Sequence, residues 1–303
     1  MPAPSNPPHT EPIVPSVPGP IPEASRPIAF TPPPLACDAH CHVFGPAERF
    51  PFAPGRAYTP PDSGVDDFVR LQNRLGLSRA VFVQASCHGS DNSAMVDAIR
   101  VGDGRFAGVA MIDPSFTEAD LDELHEHQVR GIRFNFVAHL GGAPDLDEFW
   151  ELVRRVAVRD WHIVLHFDAA DFATYRDVLD AMPVPYVIDH MARVPARDGV
   201  EQEPFQRLLE RMATDERCWV KISCAERLTD GKVSPFDDVV PFAQALIAAA
   251  PDRVLWGTDW PHPNVEQMPD EGELLDLLAA FAPDEAVRNR ILVDNPQVLY
   301  TFS

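Results

Sequence analysis

The feature that most constrains this chain is a regular alternation, from Leu35 onward, of short apolar segments with longer segments of helical periodicity. Such alternation is typical of parallel β/α units. The predicted strands are Leu35–His40, Arg79–Ser86, Phe106–Asp113, Val129–Phe136, Trp161–Phe167, Tyr186–His190, Trp219–Ser223 and Val254–Asp259. The predicted helices are Asp66–Leu75, Ala94–Val101, Glu118–His127, Asp145–Val158, Phe172–Met182, Phe205–Met212, Val240–Ala249, Gly272–Phe281 and Asp284–Val293.

Eight strands with intervening helices form either a closed barrel or an open doubly wound sheet. An open nucleotide-binding sheet carries a glycine-rich phosphate loop after its first strand, but Gly45 stands alone at that place. We therefore predict an α/β fold of the (β/α)8 TIM-barrel type over residues 35–303. Residues 1–34 hold 13 of the 32 prolines and no clear periodicity. We expect them to form an extended, proline-rich N-terminal tail that wraps on the barrel.

The amino-acid composition limits which molecules the protein is expected to bind and in which compartment it is expected to lie. A formal net charge of −21 disfavours nucleic acid and anionic membrane surfaces, because their phosphates would be repelled. Five scattered cysteines indicate free thiols in a reducing compartment. With no run of 18 apolar residues and no signal-peptide pattern, the expected location is cytoplasmic, and assembly into a homo-oligomer is left open.

Polar side chains stand where the predicted strands end, which is where (β/α)8 barrels place their catalytic groups. His40 and His42 are two residues apart, so both side chains are expected on one face of the first strand, where two imidazoles can chelate a divalent cation. Arg133, His166, His190 and Asp259 stand at the ends of four other strands. Because a barrel interior needs no such concentration of imidazole, the set predicts a catalytic site.

Five sequence blocks resemble the amidohydrolase superfamily, in particular its lactonases. The blocks are Asp38-Ala-His-Cys-His-Val-Phe-Gly-Pro46, Val83-Gln-Ala-Ser-Cys-His-Gly89, Arg130-Gly-Ile-Arg-Phe-Asn-Phe136, Val187-Ile-Asp-His-Met191 and Leu255-Trp-Gly-Thr-Asp-Trp-Pro-His-Pro-Asn264. The resemblance implies an amidohydrolase barrel over residues 35–303. It also implies hydrolysis of a small anionic lactone from bacterial breakdown of aromatic compounds, with Asp259 as general base toward water.

The resemblance further implies a set of groups that hold the anionic substrate. They are Tyr58, Ser86, Arg133, Arg193 and Arg227, to which His139 is added because it replaces an arginine that grips a substrate carboxylate in the superfamily members acting on 2-pyrone-4,6-dicarboxylate. That replacement turns the expectation toward 4-sulfomuconolactone or a close analogue, although a guanidinium binds sulfonate and carboxylate alike. His88 and His262 follow strand ends on the same rim and are weaker candidates for contact with the substrate or its surroundings.

A metal site is the second implication. Superfamily members that hydrolyse the pyrone dicarboxylate work without metal and have a tyrosine where this chain has His166. His40, His42, His166 and Asp259 resemble the mononuclear site of metal-dependent members, with His190 left to contact the bound water or the substrate. The predicted cofactor is one divalent ion, Zn²⁺ in first place with Mn²⁺ as the alternative.

Three other functions remain as alternatives. In metal-free hydrolysis, His40, His42 and His190 would polarise the lactone carbonyl while Asp259 alone activates water. A metal-dependent decarboxylase would use the same ligands to break a carbon–carbon bond. A catalytically silent anion-binding barrel is disfavoured, because the inferred base and every inferred ligand are intact.

Overall fold

A computed structural model describes residues 14–21, 28–138, 142–265 and 267–302. Eight parallel strands lie side by side in chain order. The strands are β1 (Cys37–Cys41), β2 (Arg79–Val83), β3 (Phe106–Ala110), β4 (Val129–Asn135), β5 (His162–His166), β6 (Tyr186–Ile188), β7 (Cys218–Lys221) and β8 (Val254–Leu255). The prediction of eight parallel strands with helices between them is confirmed.

The segment that follows β8 closes the barrel against β1. Ala39 donates its backbone N–H to the carbonyl of Trp256 over 2.9 Å, and Asp259 donates to the carbonyl of His40 over 2.8 Å. The two segments approach so closely that a Cβ atom at Gly257 would collide with the backbone nitrogen of His40. A glycine is needed there. This closure brings the functional ends of the first and last strands together.

Helices lie between successive strands and after the last one. They are α1 (Val65–Leu75), α2 (Ser93–Val101), α3 (Glu118–Glu126), α4 (Leu146–Ala157), α5 (Arg176–Asp180), α6 (Glu203–Thr214), α7 (Ala225–Leu228), α8 (Val240–Ala249), α9 (Glu271–Phe281), α10 (Glu285–Asn289) and α11 (Asn295–Tyr300). Local chemistry explains several starts: the side chain of Thr117 accepts a hydrogen bond from the backbone of Asp120 in α3, and Pro241 occupies the first turn of α8, as predicted.

Two apolar layers follow from the alternation of side chains along the strands. Outward-facing residues of β2 and β4, such as Phe82, Ile132 and Phe134, pack with the helices in the main core. Inward-facing residues such as Val81, Val164 and Leu255 form a second cluster inside the barrel. The same alternation turns Arg133 of β4 into the barrel, because it lies between Ile132 and Phe134.

Several predicted elements end earlier in the structure than in the sequence interpretation. Strand β8 stops at Leu255 instead of Asp259, and α5 covers only Arg176–Asp180 of the predicted Phe172–Met182. The predicted last helix, Asp284–Val293, is divided into α10 and a π-helical segment at Arg290–Asp294, and α11 follows beyond its predicted end. At β8 the apolar run overestimates strand length, since the residues from Trp256 to Asp259 leave the ladder to close the barrel and form the site.

Part of the proline-rich tail lies on the barrel. Val17 donates to the backbone carbonyl of Thr59, and Thr59 donates to that of Pro15, over 3.1 and 2.8 Å. Residues 1–13 and 22–27 of the predicted tail lie outside the described residues. Among the helices of the described chain, none combines the length and the apolar character needed to cross a bilayer.

Candidate active site

A narrow pocket opens at the C-terminal ends of the strands. It encloses about 50 Å³ and is lined by His42, Tyr58, Ala85, Ser86, Arg133, His166, His190, Arg193, Arg227, Asp259, Pro263 and Asn264. Nearly every predicted site residue thus reaches one cavity. His40 is buried beneath it, and His139 lies outside the described residues. A larger groove of about 520 Å³ beside α2 and α3 contains none of the described residues predicted for the site.

Three imidazoles surround one oxygen of Asp259. The Nε2 atoms of His42, His40 and His190 lie 3.3, 3.5 and 3.9 Å from Asp259 Oδ1. All four side chains are buried. Strand β1 and the residue after it, the turn after β6 and the segment after β8 supply them, so this centre exists only in the closed barrel.

The outer nitrogens of two imidazoles contact groups that orient the rings. Nδ1 of His42 lies 2.7 Å from the backbone carbonyl oxygen of Val83, and Nδ1 of His166 lies 3.0 Å from Oδ1 of Asn135. A carbonyl oxygen accepts hydrogen bonds, so these contacts place the ring hydrogen on Nδ1 and leave the Nε2 lone pair free. Nε2 of His166 is buried and makes no hydrogen bond.

A left-handed turn after β6 presents two further site residues. His190, Met191, Ala192 and Arg193 have φ values between 51° and 54°. Non-glycine residues rarely adopt this conformation, and such strain is concentrated at functional sites. The turn directs both His190 and Arg193 to the pocket, and Nδ1 of His190 lies 2.8 Å from Ser223 Oγ.

The residues present fit a divalent cation. Ligand atoms of His40, His190 and Asp259 all lie within 4.8 Å of one another, and Nε2 of His42 faces the same carboxylate oxygen. His166 is not a member of this group, but its unpartnered Nε2 is an atom that a ligand would satisfy. The predicted ligand set therefore stays a prediction, with His190 as an additional candidate.

Burial and charge set the ionisation of the centre. Burial lowers the pKa of His40 and His166 well below the ordinary histidine range, and lowers that of His190 to about 3. These rings are therefore neutral, as metal ligands and carbonyl-polarising groups must be. Burial opposes ionisation of Asp259, but the charge of Arg227 holds the pKa of that carboxyl well below its usual range.

The three predicted anion-binding arginines each contact a carboxylate. Nε of Arg133 donates to Asp189 over 2.9 Å, and Nε of Arg193 donates to Asp168 over 2.6 Å. Arg227 donates from Nη2 to Asp259 over 2.7 Å. The carboxylates fix each guanidinium at the pocket wall. In Arg133 and Arg193 the fixing bond uses Nε, which leaves the terminal nitrogens of the guanidinium group available to bind another partner.

Tyr58 and Ser86 complete the wall from the loops after β1 and β2. Tyr58 packs against Phe44, Ala85 and Cys87 in a small apolar cluster, and burial raises its pKa. Its hydroxyl is therefore neutral. Together with the Ser86 hydroxyl it supplies hydrogen-bond donors without charge, which complements the arginines on the opposite side.

Sequence interpretation missed a buried polar network beneath the pocket. Lys221 of β7 is fully buried, with Nζ 2.9 Å from Nδ1 of His40 and 3.2 Å from Oδ1 of Asp189. The available signal was a lysine inside an otherwise apolar strand, since a fully buried lysine is rare unless paired. Asp38 accepts hydrogen bonds from the backbone of His40 and from Thr258.

Two weaker candidates face away from the pocket. His88 contacts the backbone at Pro51 and Gly45. His262 is fully buried between Glu226 and Glu271, whose carboxylates lie 3.9 and 3.7 Å from its two ring nitrogens. Neither histidine lines the cavity, so both serve the surrounding structure and not the substrate.

Comparison with known proteins agrees with this geometry. A family model described as amidohydrolase matches residues 37–302. A 2-pyrone-4,6-dicarboxylate hydrolase of Comamonas testosteroni is 45% identical over 88% of this chain and 90% of its own. A 4-sulfomuconolactone hydrolase of Rhizobium radiobacter is 44% identical over 91% and 93%. A crystal structure from Acinetobacter baumannii, assigned as a 2-pyrone-4,6-dicarboxylic acid hydrolase and containing citric acid, has 25% identity and a TM-score of 0.77 over 88% of this chain and 100% of that one.

Proposed function

Because the chain belongs to the amidohydrolase family, we propose that it hydrolyses a small anionic lactone, 4-sulfomuconolactone or a close analogue, with the help of one divalent metal ion. The reaction class, hydrolysis of a lactone ester in the breakdown of aromatic compounds, follows from the family and from the named relatives. The observation that carries the proposal is the convergence of three imidazole Nε2 atoms, at 3.3 to 3.9 Å, on one oxygen of Asp259 in a pocket ringed by arginines.

Asp259 is the general base. Its ionised carboxylate lies at the floor of the pocket, where it accepts a proton from water as the water oxygen attacks the lactone carbonyl. The carbonyl carbon becomes tetrahedral, the ring C–O bond then breaks, and the leaving oxygen takes a proton. Arg227 keeps the carboxylate ionised and in place through its 2.7 Å hydrogen bond.

Neutral imidazoles stabilise the negative charge that develops on the carbonyl oxygen. The rings of His40 and His190 have centroids 4.6 Å apart, and both carry Nε2 toward Asp259. An electropositive group directed at the carbonyl oxygen lowers the activation barrier, because the negative charge on that oxygen appears only as the transition state forms.

A divalent ion fits the same centre. His40, His42, His166 and Asp259 are the proposed ligands, and His190 is available either to the ion or to the substrate. When bound, such an ion would lower the pKa of water toward neutrality and polarise the lactone carbonyl. The donor set of imidazole nitrogens and one carboxylate suits Zn²⁺, and it also accommodates Mn²⁺.

Substrate charge is read by Arg133 and Arg193, with Arg227, Tyr58 and Ser86 beside them. Guanidinium groups bind carboxylate or sulfonate through charge and paired hydrogen bonds. His139, where pyrone-hydrolysing members have arginine, favours the sulfonated lactone as the better substrate.

The metal-free alternative is favoured by one observation. Lys221 lies against the outer nitrogen of His40, whereas a ligating histidine usually offers that hydrogen to an acceptor. In this alternative, Asp259 and the imidazoles act as described above and no ion participates.

Metal analysis combined with a substrate comparison tests the proposal. Purified protein should hold close to one divalent ion per chain, lose activity on chelation and regain it with Zn²⁺ or Mn²⁺. The kcat/KM for 4-sulfomuconolactone should exceed that for 2-pyrone-4,6-dicarboxylate and for an uncharged lactone of similar size. Full activity in metal-free protein supports the alternative. Release of carbon dioxide in place of acid would overturn lactone hydrolysis itself.

A further inference from the structure

The strongest unassigned feature is the contact between Lys221 and His40. The Lys221 side chain is completely buried at the end of β7, directly beneath the pocket. Its Nζ lies 2.9 Å from Nδ1 of His40, and no other contact to this outer nitrogen is as short among the described residues: Oδ1 of Asp189 is 3.4 Å away. The amino group of Lys221 is therefore the nearest polar neighbour of the outer nitrogen of His40.

The charges around Asp189 keep that amino group an ammonium. Burial raises the pKa of the Asp189 carboxyl, but the charges of Lys221 and Arg133 hold it well below its usual range, so Asp189 is an anion. Nζ of Lys221 lies 3.2 Å from one of its oxygens and Nε of Arg133 lies 2.9 Å from the other. Burial opposes the charge of Lys221, but its 3.2 Å contact with the buried Asp189 carboxylate supports the ammonium form, because a neutral amine would leave the anion less compensated.

An ammonium has three hydrogens to donate and no lone pair to accept with. The Nδ1 atom that faces it must therefore be the unprotonated nitrogen of the neutral His40 ring, which places the ring hydrogen on Nε2. His42 provides the opposite case in the same site. Its Nδ1 faces the carbonyl oxygen of Val83 over 2.7 Å, so its ring hydrogen is on Nδ1 and its Nε2 is a lone pair.

We propose that Lys221 is a positioning residue that holds the ring hydrogen of His40 on Nε2, making His40 a hydrogen-bond donor to the pocket and opposing its use as a metal ligand. A metal ion needs the Nε2 lone pair, so binding at His40 requires the hydrogen to move to Nδ1, where the ammonium resists it. The effect on metal binding rests on the proposed metal dependence. The position of the ring hydrogen does not rest on it, since that position concerns the metal-free protein alone.

The Lys221→Met variant removes the donor and keeps the length of the side chain. Nδ1 of His40 then faces Oδ1 of Asp189 alone, at 3.4 Å, and the ring hydrogen should move to Nδ1 in order to donate to that carboxylate. Arg133→Met is the matched control, because it also deletes a cation from Asp189 but does not contact His40 at Nδ1. The control should leave the hydrogen on Nε2.

Two-dimensional ¹H–¹⁵N NMR of the ring nitrogens in metal-free protein measures this directly. We expect His40 with hydrogen on Nε2 and His42 with hydrogen on Nδ1 in the same wild-type spectrum, and reversal at His40 alone in Lys221→Met. A wild-type spectrum with the His40 hydrogen on Nδ1 overturns the proposal without any variant. A His40 ring unaltered in folded Lys221→Met, or in Lys221→Gln where the methionine variant does not fold, also overturns it.

Metal affinity gives the second readout. By competition with a chromophoric chelator, Lys221→Met should bind Zn²⁺ roughly tenfold more tightly than wild type, a size typical of changes in the partner of a ligating histidine. Equal or weaker binding contradicts the opposing role at His40. Neither measurement uses a lactone, so failure of the proposed substrate leaves both results interpretable.

Discussion

Arg227 donates a hydrogen bond from Nη2 to Oδ2 of Asp259 over 2.7 Å, and the same nitrogen donates to the carbonyl of Pro263 at the same distance. The guanidinium is thus committed on one side to the proposed general base. Resemblance alone assigns Arg227 to the substrate, but the structure gives it an additional task. It keeps a fully buried carboxylate ionised, which burial by itself would prevent.

Replacing Asp259 with asparagine should abolish most catalysis and spare the fold. An amide oxygen still accepts from Arg227, but it takes no proton from water, so kcat should fall by about 10²–10⁴. Steady-state kinetics and thermal unfolding measure the two effects. The matched control is Asp113→Asn, in the loop after β3, where the carboxylate contacts Ser90 and Ser115 outside the pocket. Comparable kcat values in Asp259→Asn and Asp113→Asn would show that Asp259 is not the general base.

His166 should be required for metal retention. Its Nε2 is buried without a hydrogen-bond partner, so a bound ion is the group that would satisfy it. His166→Ala and His166→Tyr should both weaken metal binding by about tenfold or more. Elemental analysis after dialysis against a weak chelator measures occupancy, with His88→Ala as a control on the same rim. Retention of metal by both His166 variants would show that β5 supplies no ligand.

Arg193 offers the cleanest test of substrate charge, because Arg133 and Arg227 also contact buried residues of the site. Arg193→Ala should reduce kcat/KM for an anionic lactone by the equivalent of about 2–5 kcal/mol, while an uncharged lactone is affected little. Arg197→Ala is the control, since Arg197 is exposed and pairs only loosely with Asp198. Equal losses on charged and uncharged lactones would indicate damage to the turn after β6 and not lost recognition.

His262 should make stability depend on pH. Burial opposes its charged form, but Glu226 and Glu271 raise its pKa to about 9, above the ordinary value of about 6.5. The folded protein therefore holds an extra proton between these values. The resulting stability is fully present below about pH 6.5 and is lost as pH rises through about 9.

Urea unfolding at pH 6 and pH 9.5 checks this prediction. The difference in unfolding free energy between wild type and His262→Gln should shrink as pH rises, because the glutamine cannot carry the charge. A gap between wild type and His262→Gln that does not change with pH would mean that Glu226 and Glu271 do not stabilise a charged His262.

The fold was predictable because its determinants are local. Apolar runs of strand length, helical spacing between them and capping residues such as Thr117 act within a few residues of one another. In a barrel of parallel strands these local elements also decide which residues stand at the catalytic end, so His40, His190 and Asp259 could be predicted from sequence as neighbours.

The tertiary structure decides which hydrogen-bond partner each residue of the site contacts. Whether His262 faces the substrate or the two glutamates, and whether Lys221 contacts His40, depends on the register of strands far apart in sequence and on the rotamers that packing allows. Resemblance names residues but not their hydrogen-bond partners. In a buried site, the partner at the outer nitrogen decides whether an imidazole donates or accepts, since water is absent to satisfy the other choice. Only the closed barrel fixes that partner.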